Sequence, residues 1–247
     1  MKDRHPKIMR CLSLARGFTL IEILVVLGII VVLAAVAGPA VNSALVSAKS
    51  AESVSHLKQT AALVSNYAAE NNNRLPVSIN WARFSQGGGM WFQNLIAGQS
   101  KELQAAPYSA TLRLPKMFYD PVLRGKNEHP WGSFGVNVSV VLNDTDYRAR
   151  FGNGGGTERG LGISLAALTN PSWKVICCSA IEPGWASSWG FDGAVFAQKG
   201  FDPKAGPDPR NSGGAAALFA DGHVEKLDVE NMDQATRRRL FTLEPAR

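Results

Sequence analysis

The feature that most constrains this chain is an uninterrupted apolar run near its start. From Ile23 to Val41 there are 19 residues without a charged or strongly hydrogen-bonding side chain, close to the ~20 that a helix needs to cross the hydrocarbon core of a bilayer. The run predicts a membrane-entering helix. Five basic residues precede it, Lys2, Arg4, Lys7, Arg10 and Arg16. That bias predicts a cytoplasmic start, with everything after Val41 on the far side, which in a bacterium is the periplasm.

Charge follows the same division. The 247-residue chain carries a net +6, but the first 17 residues, opposed only by Asp3, hold +4 of it, and without them the chain is near neutral at +2. Such a balance gives no footprint for a phosphate backbone, so no nucleic acid is expected as a partner. The one remaining basic cluster, Arg237-Arg238-Arg239, reads as a solvated helix face.

A secretory signal peptide has the same basic start and apolar stretch, and Ala35-Val36-Ala37 supplies a small-residue cleavage triplet. Two features argue against it. The apolar run exceeds the ~7–15 residues of a usual signal core, and an acidic residue, Glu22, stands within its first turn. A carboxylate at membrane depth is costly and persists where it finds a partner or does a job, the bland alternative being that it snorkels to the interface.

The stretch "RGFTLIEILVVLGIIVVLAAVAGP", Arg16 to Pro39, resembles the class III signal of type IV pilins and type II secretion pseudopilins. The resemblance implies a prepilin peptidase that cuts after Gly17 and methylates the new amino terminus at Phe18. It implies that Glu22 meets the terminal amine of a neighbouring subunit during filament assembly, and that Pro39 is the helix-bending proline. Partners follow: prepilin peptidase, other pilin or pseudopilin subunits, and the inner membrane. The cut would create an α-amino group one helical turn from Glu22, so processing supplies the missing cation.

Beyond Pro39 the helical pattern continues and changes character. Val54, Leu57, Ala61, Val64 and Ala68 recur at spacings of three and four, with Lys49, Glu52, Lys58, Gln59 and Glu70 elsewhere, which gives an amphipathic face. Asn71-Asn72-Asn73 and Pro76 write a stop. One helix from Phe18 to about Asn71 would run ~80 Å, with a kink expected at Gly38-Pro39.

The remainder reads as a head rich in glycine, proline and tryptophan. "MWFQNLIAG" suggests a short helix, and strand-like runs follow at "FGVNVSVVL", "WKVICCSA", "GAVFA", "AAALFA" and "HVEKLD". Asp221-Gly222, between the last two, predicts a hairpin with a two-residue type I′ turn. This stretch also resembles the H-X9-DG element at the end of many pseudopilin-like proteins, with Asn211 in place of the histidine. That departure argues against a role requiring imidazole there.

The expected fold class is α+β and type IV pilin-like, a long helix packed on an antiparallel sheet. Its expected parts are a leader (1–17), a membrane and filament-core half-helix (18–41), an amphipathic half-helix (42–75) and a β-rich head (76–247) with a hairpin near 215–228.

Catalytic and cofactor chemistry is not written here. His56, His129 and His223 form no short-spaced ligand set with one another or with cysteine. Asp202, Asp208 and Asp221 lack the alternation of a calcium loop, Gly154-Gly155-Gly156 lacks the ending of a phosphate loop, and no serine stands in a nucleophile elbow. No metal, no cofactor and no enzyme activity are expected.

Cys177 and Cys178 read as core residues rather than a redox pair, because neighbouring cysteines rarely bridge. The six tryptophans, Trp81, Trp91, Trp131, Trp173, Trp185 and Trp189, suit either a small core or a sugar-binding groove. The leading reading is a structural subunit of a type II secretion pseudopilus or type IV pilus-like filament. The rival is a pilin-anchored binding module whose head recognises cargo or carbohydrate.

Overall fold

The computed structural model describes residues 18–76, 91–96, 115–123, 134–141, 162–181, 191, 193–202 and 206–243. Gly17 and the rest of the leader, His129, the run 151–160 and the tryptophans at 81, 131, 185 and 189 lie outside them. Helix α1 spans Leu20–Glu70, 51 residues, and continues through Gly38-Pro39, so the bend expected there does not break it. It stops where the asparagines begin. Asn72 and Asn73 take left-handed backbone angles, φ 55° and 59°, which asparagine tolerates better than most residues, and the Asn73 N–H turns back to the Ala68 carbonyl at 2.8 Å.

The chain divides into two compact units, residues 1–44 and 45–247. The described part of the first is the apolar start of α1. The second contains the rest of α1 and the head, so the amphipathic half-helix shares a packing unit with the sheet.

After α1 come α2 (Trp91–Ile96), β1 (Phe134–Val136), α3 (Val138–Val141), β2 (Val175–Ile181) and α4 (Gly193–Lys199). The chain then forms β3 (Gly206–Pro207), β4 (Ala215–Phe219), β5 (Val224–Leu227) and α5 (Gln234–Phe241). The sheet order is β1-β2-β4-β5 with β3 also on β2, and each of these pairings is antiparallel.

Both faces of this sheet are covered. On one, Leu57, Ala61 and Val64 of α1 pack with Trp91, Phe92, Phe118, Ile176, Cys177, Ala216 and Leu218. On the other, Val175, Cys178, Ala215, Ala217 and Phe219 pack with Phe196 of α4 and Leu240 and Phe241 of α5. β4 alternates between the two cores residue by residue, as a pleated strand must. Because both sides are apolar, "AAALF" shows no polar alternation.

β2 breaks the alternation once. Its pairing with β4 shifts between Val175 and Cys177, a bulge that turns Ile176 and Cys177 to the same core while Val175 and Cys178 face the other. The adjacent cysteines therefore point to opposite layers, both buried and both free.

Two expectations of strand change here. "GAVFA" is helical: Gly193, Phe196 and Ala197 are buried while Ala194 and Val195 are exposed, an i, i+3, i+4 pattern that a five-residue apolar run concealed. A Cβ at Gly193 would stand 2.3 Å from the Phe241 carbonyl oxygen and 2.4 Å from Asn137 Oδ1, so only glycine lets α4 begin there. "FGVNVSVVL" is a strand only to Val136. Asn137 then turns the chain, its Oδ1 accepting the Ser139 N–H at 3.2 Å and its Nδ2 donating to the Val175 and Phe241 carbonyls at 2.9 and 3.0 Å, before α3.

The hairpin also differs from its expected form. Phe219 and His223 close it, with the Phe219 N–H on the His223 carbonyl at 2.9 Å and the Gly222 N–H on the Phe219 carbonyl at 3.0 Å. Gly222 has φ 92°, whereas Asp221 is not in the positive-φ region. This is a three-residue loop, a tight turn followed by a left-handed glycine, rather than type I′.

Candidate functional site

The site is the exposed start of α1. Thr19 precedes its first turn and Glu22 is the third residue of that turn, a Thr-x-x-Glu spacing that forms a capping box. The Thr19 N–H donates to Glu22 Oε2 at 2.8 Å and the Thr19 hydroxyl donates to the same oxygen at 2.8 Å. In return the Glu22 N–H donates to Thr19 Oγ1 at 3.3 Å. Helix ends leave N–H groups unpaired, and here one carboxylate satisfies the chain at its start. The spacing was visible in the sequence, but reading Glu22 only as a charge missed it.

From Phe18, 81% exposed, through Val46, 47% exposed, the large apolar side chains of this stretch stand in the open. Glu22 is the only charged residue between Phe18 and Ala48. This is one helix long and apolar enough to cross a membrane, and a single apolar helix of this kind is compatible with membrane anchoring. Pro39 lies within it. The residue on which cleavage was expected, Gly17, is outside the described residues.

The other candidates lie in the head. Asp221 Oδ1 accepts from His223 Nδ1 at 2.6 Å, and His223 stacks on Phe219 with ring centroids 4.0 Å apart. Asn211 is fully buried. Its Nδ2 donates to Ser179 Oγ at 2.7 Å and to Asp120 Oδ2 at 3.2 Å. His56 Nδ1 donates to the Tyr119 carbonyl at 2.8 Å. Among the described residues, no three His, Cys, Asp or Glu side chains gather as they would around a metal ion.

Burial pushes the thiols of Cys177 and Cys178 above their ordinary range, which makes them poor nucleophiles. Trp91 is a core residue, and its ring meets Phe92 edge-on at 4.9 Å. Trp173 is 45% exposed, but the Arg239 guanidinium lies 4.8 Å over its ring.

That contact corrects the reading of the arginine triplet as a solvated face. Only Arg238 is exposed; Arg237 lies 6.0 Å over the Phe196 ring and Arg239 covers Trp173. Lys174 Nζ donates to the Arg239 and Thr242 carbonyls at 2.7 Å each, tying off the end of α5. Desolvation, and then the nearby Arg239 charge, push its amine below the usual lysine range.

Comparison with known families identifies the start of the chain. Residues 12–38 match the prokaryotic N-terminal methylation motif, the signal of type IV pilins and pseudopilins. No curated protein and no solved structure matches the chain.

Proposed function

We propose that this chain, type IV pilin-like by its methylation motif, is a membrane-anchored structural subunit of a type II secretion pseudopilus or a type IV pilus-like filament. Prepilin peptidase cuts after Gly17 and methylates Phe18. The subunit waits in the inner membrane with its start on the cytoplasmic side and its head in the periplasm, then joins other pilin or pseudopilin subunits through residues 18–39.

The observation that carries this reading is an exposed apolar helix with one carboxylate at its start. Such a surface needs lipid or other apolar helices around it. Inside a bundle of such helices an unpaired carboxylate is destabilising, so Glu22 favours a neighbour that brings a cation. Cleavage at Gly17 makes that cation, because the α-amine of Phe18 immediately precedes the Thr19 N–H on which Glu22 is already held. The capping box keeps the carboxylate near its own amine until a neighbour's amine replaces it. Pairing between subunits then sets their axial stagger, while Pro39 ends the stretch that packs in the filament core.

The deciding experiment is the mass and amino-terminal sequence of the membrane-fraction protein from a host with prepilin peptidase. A start at methylated Phe18 is expected. A start at Gly38 would identify a secretory signal and overturn the reading.

A further inference from the structure

A buried carboxyl node joins four stretches that are distant in sequence, one on α1 and three in the head. Asp120, 2% exposed, follows the short helical turn Lys116–Phe118. Its Oδ1 accepts from the Ser53 hydroxyl of α1 at 2.6 Å and from the Val122 N–H at 3.1 Å. Its Oδ2 accepts from the Ser179 hydroxyl of β2 at 2.9 Å and from Asn211 Nδ2 at 3.2 Å. Asn211 Nδ2 also reaches Ser179 Oγ at 2.7 Å, and the Asn211 N–H donates to the Gly214 carbonyl at 3.0 Å, at the entry to β4.

Ser53, Ser179 and Asn211 are fully buried. One residue before Asp120, the Tyr119 carbonyl accepts from His56, so residues 119 and 120 are fastened to α1 at positions three apart, on one helical face. Only the amide N–H side of Asn211 can face a carboxylate, which fixes its orientation.

We propose that Asp120 and Asn211 form a conformational lock that makes the docking of α1 and the placement of β4 a single event. Asp120 is the hub and Asn211 its positioning residue. A buried polar group that loses its partner is strongly penalised, so the four segments of the node hold or release together. Opening the node frees the Ser53 face of α1 and the entry to β4 at once. This inference is independent of the filament reading.

The isosteric substitution Asn211→Asp tests it, because it sets a second carboxylate against Asp120 without changing the volume. Two carboxylates at that distance need a shared proton. In the full chain in detergent at pH 7.5, the melting temperature is expected to fall by about 5 °C or more. Amide exchange across 50–60 and 211–219 should accelerate together. At pH 5 both should return toward wild type measured at the same pH, and Asp120→Asn/Asn211→Asp, which exchanges the acid and the amide, should recover stability at pH 7.5.

Charged and titratable groups that neighbour these residues along the chain are Glu52 and His56 on α1, Tyr119 before Asp120, Asp208 and Arg210 before Asn211, and Cys177 and Cys178 on β2. Wild type carries all of them, so the same-pH comparison cancels their titration. A variant that melts like wild type at both pH values, or that opens 211–219 while 50–60 stays protected, overturns the lock. If Asn211→Asp folds at neither pH, Ser179→Ala decides: joint acceleration of the two segments supports the lock, and separate exchange refutes it.

Discussion

The two halves of α1 share one backbone geometry and have opposite fates. In Leu20–Ala44 the described side chains are exposed, whereas beyond it Leu57, Ala61, Val64 and Ala68 are buried, with Ser53 and Thr60 among them. Propensity does not separate the halves. The distribution of polar groups around the helix does. The first half has no polar strip to turn toward water, so no one-sided contact could satisfy it. The second carries Lys49, Glu52, Lys58 and Glu70 on one side and an apolar stripe on the other, and its buried hydroxyls find partners, such as the Thr60 hydroxyl on the His56 carbonyl at 3.0 Å. One half therefore requires apolar surroundings from outside the chain, and the other brings its own.

The sharpest way to break that comparison is Glu22→Ala. Cleavage and methylation should proceed as in wild type, while the sheared filament fraction loses at least about tenfold of its subunit by immunoblot; undiminished filaments would remove Glu22 from assembly. Next, Leu57→Ala should destabilise the head by about 2–5 kcal/mol. Leu27→Ala, at a position 57% exposed, should change head stability by less than about 0.5 kcal/mol. Denaturant melts in detergent compare the two, and equal losses would mean that the halves are not distinct.

A gentler test reaches α1 through the hairpin. Gly222→Ala forces a Cβ into a left-handed conformation and should destabilise by about 1 kcal/mol. Hydrogen exchange should then rise in residues 57–68 but not in 20–44.

Smallest is the acid response of α5. Asp233 caps it, accepting from the Thr236 hydroxyl at 2.6 Å and the Thr236 N–H at 2.9 Å, and those bonds hold its carboxyl below the usual aspartate range. A carboxyl whose pKa is depressed in the folded state contributes stability above its unfolded pKa and loses that contribution as pH falls through the folded one. Fraying of α5 should thus begin below about pH 4, be absent in Asp233→Asn across the same range, and leave residues 20–44 unchanged, as followed by exchange.

Much of this was legible in the sequence for identifiable reasons. A long helix announces itself by period, and residues 54, 57, 61, 64 and 68 all lie on the side that meets the head. β2, β4 and β5 were legible because each run is short, apolar or β-branched, and bounded by turn residues.

The layer of α4 and α5 over the far side of the sheet was not foreseen. In five residues, "GAVFA" fits either period, and what made it helical, the close approach of Gly193 to Asn137 and Phe241, is a long-range contact. Asn137 before Val138 was a readable start signal for α3, overridden by the valines around it. Of the candidate site, Glu22 was found by its charge, and its bond to Thr19 required attention to spacing as well.

The bulge in β2 has a practical sequel. Because it turns Cys177 toward the layer of α1 and Cys178 toward the layer of α4 and α5, two thiols adjacent in the chain report on opposite sides of the head. A thiol-specific label that enters one and not the other would tell which layer peels away first, so the molecule carries its own pair of unfolding sensors.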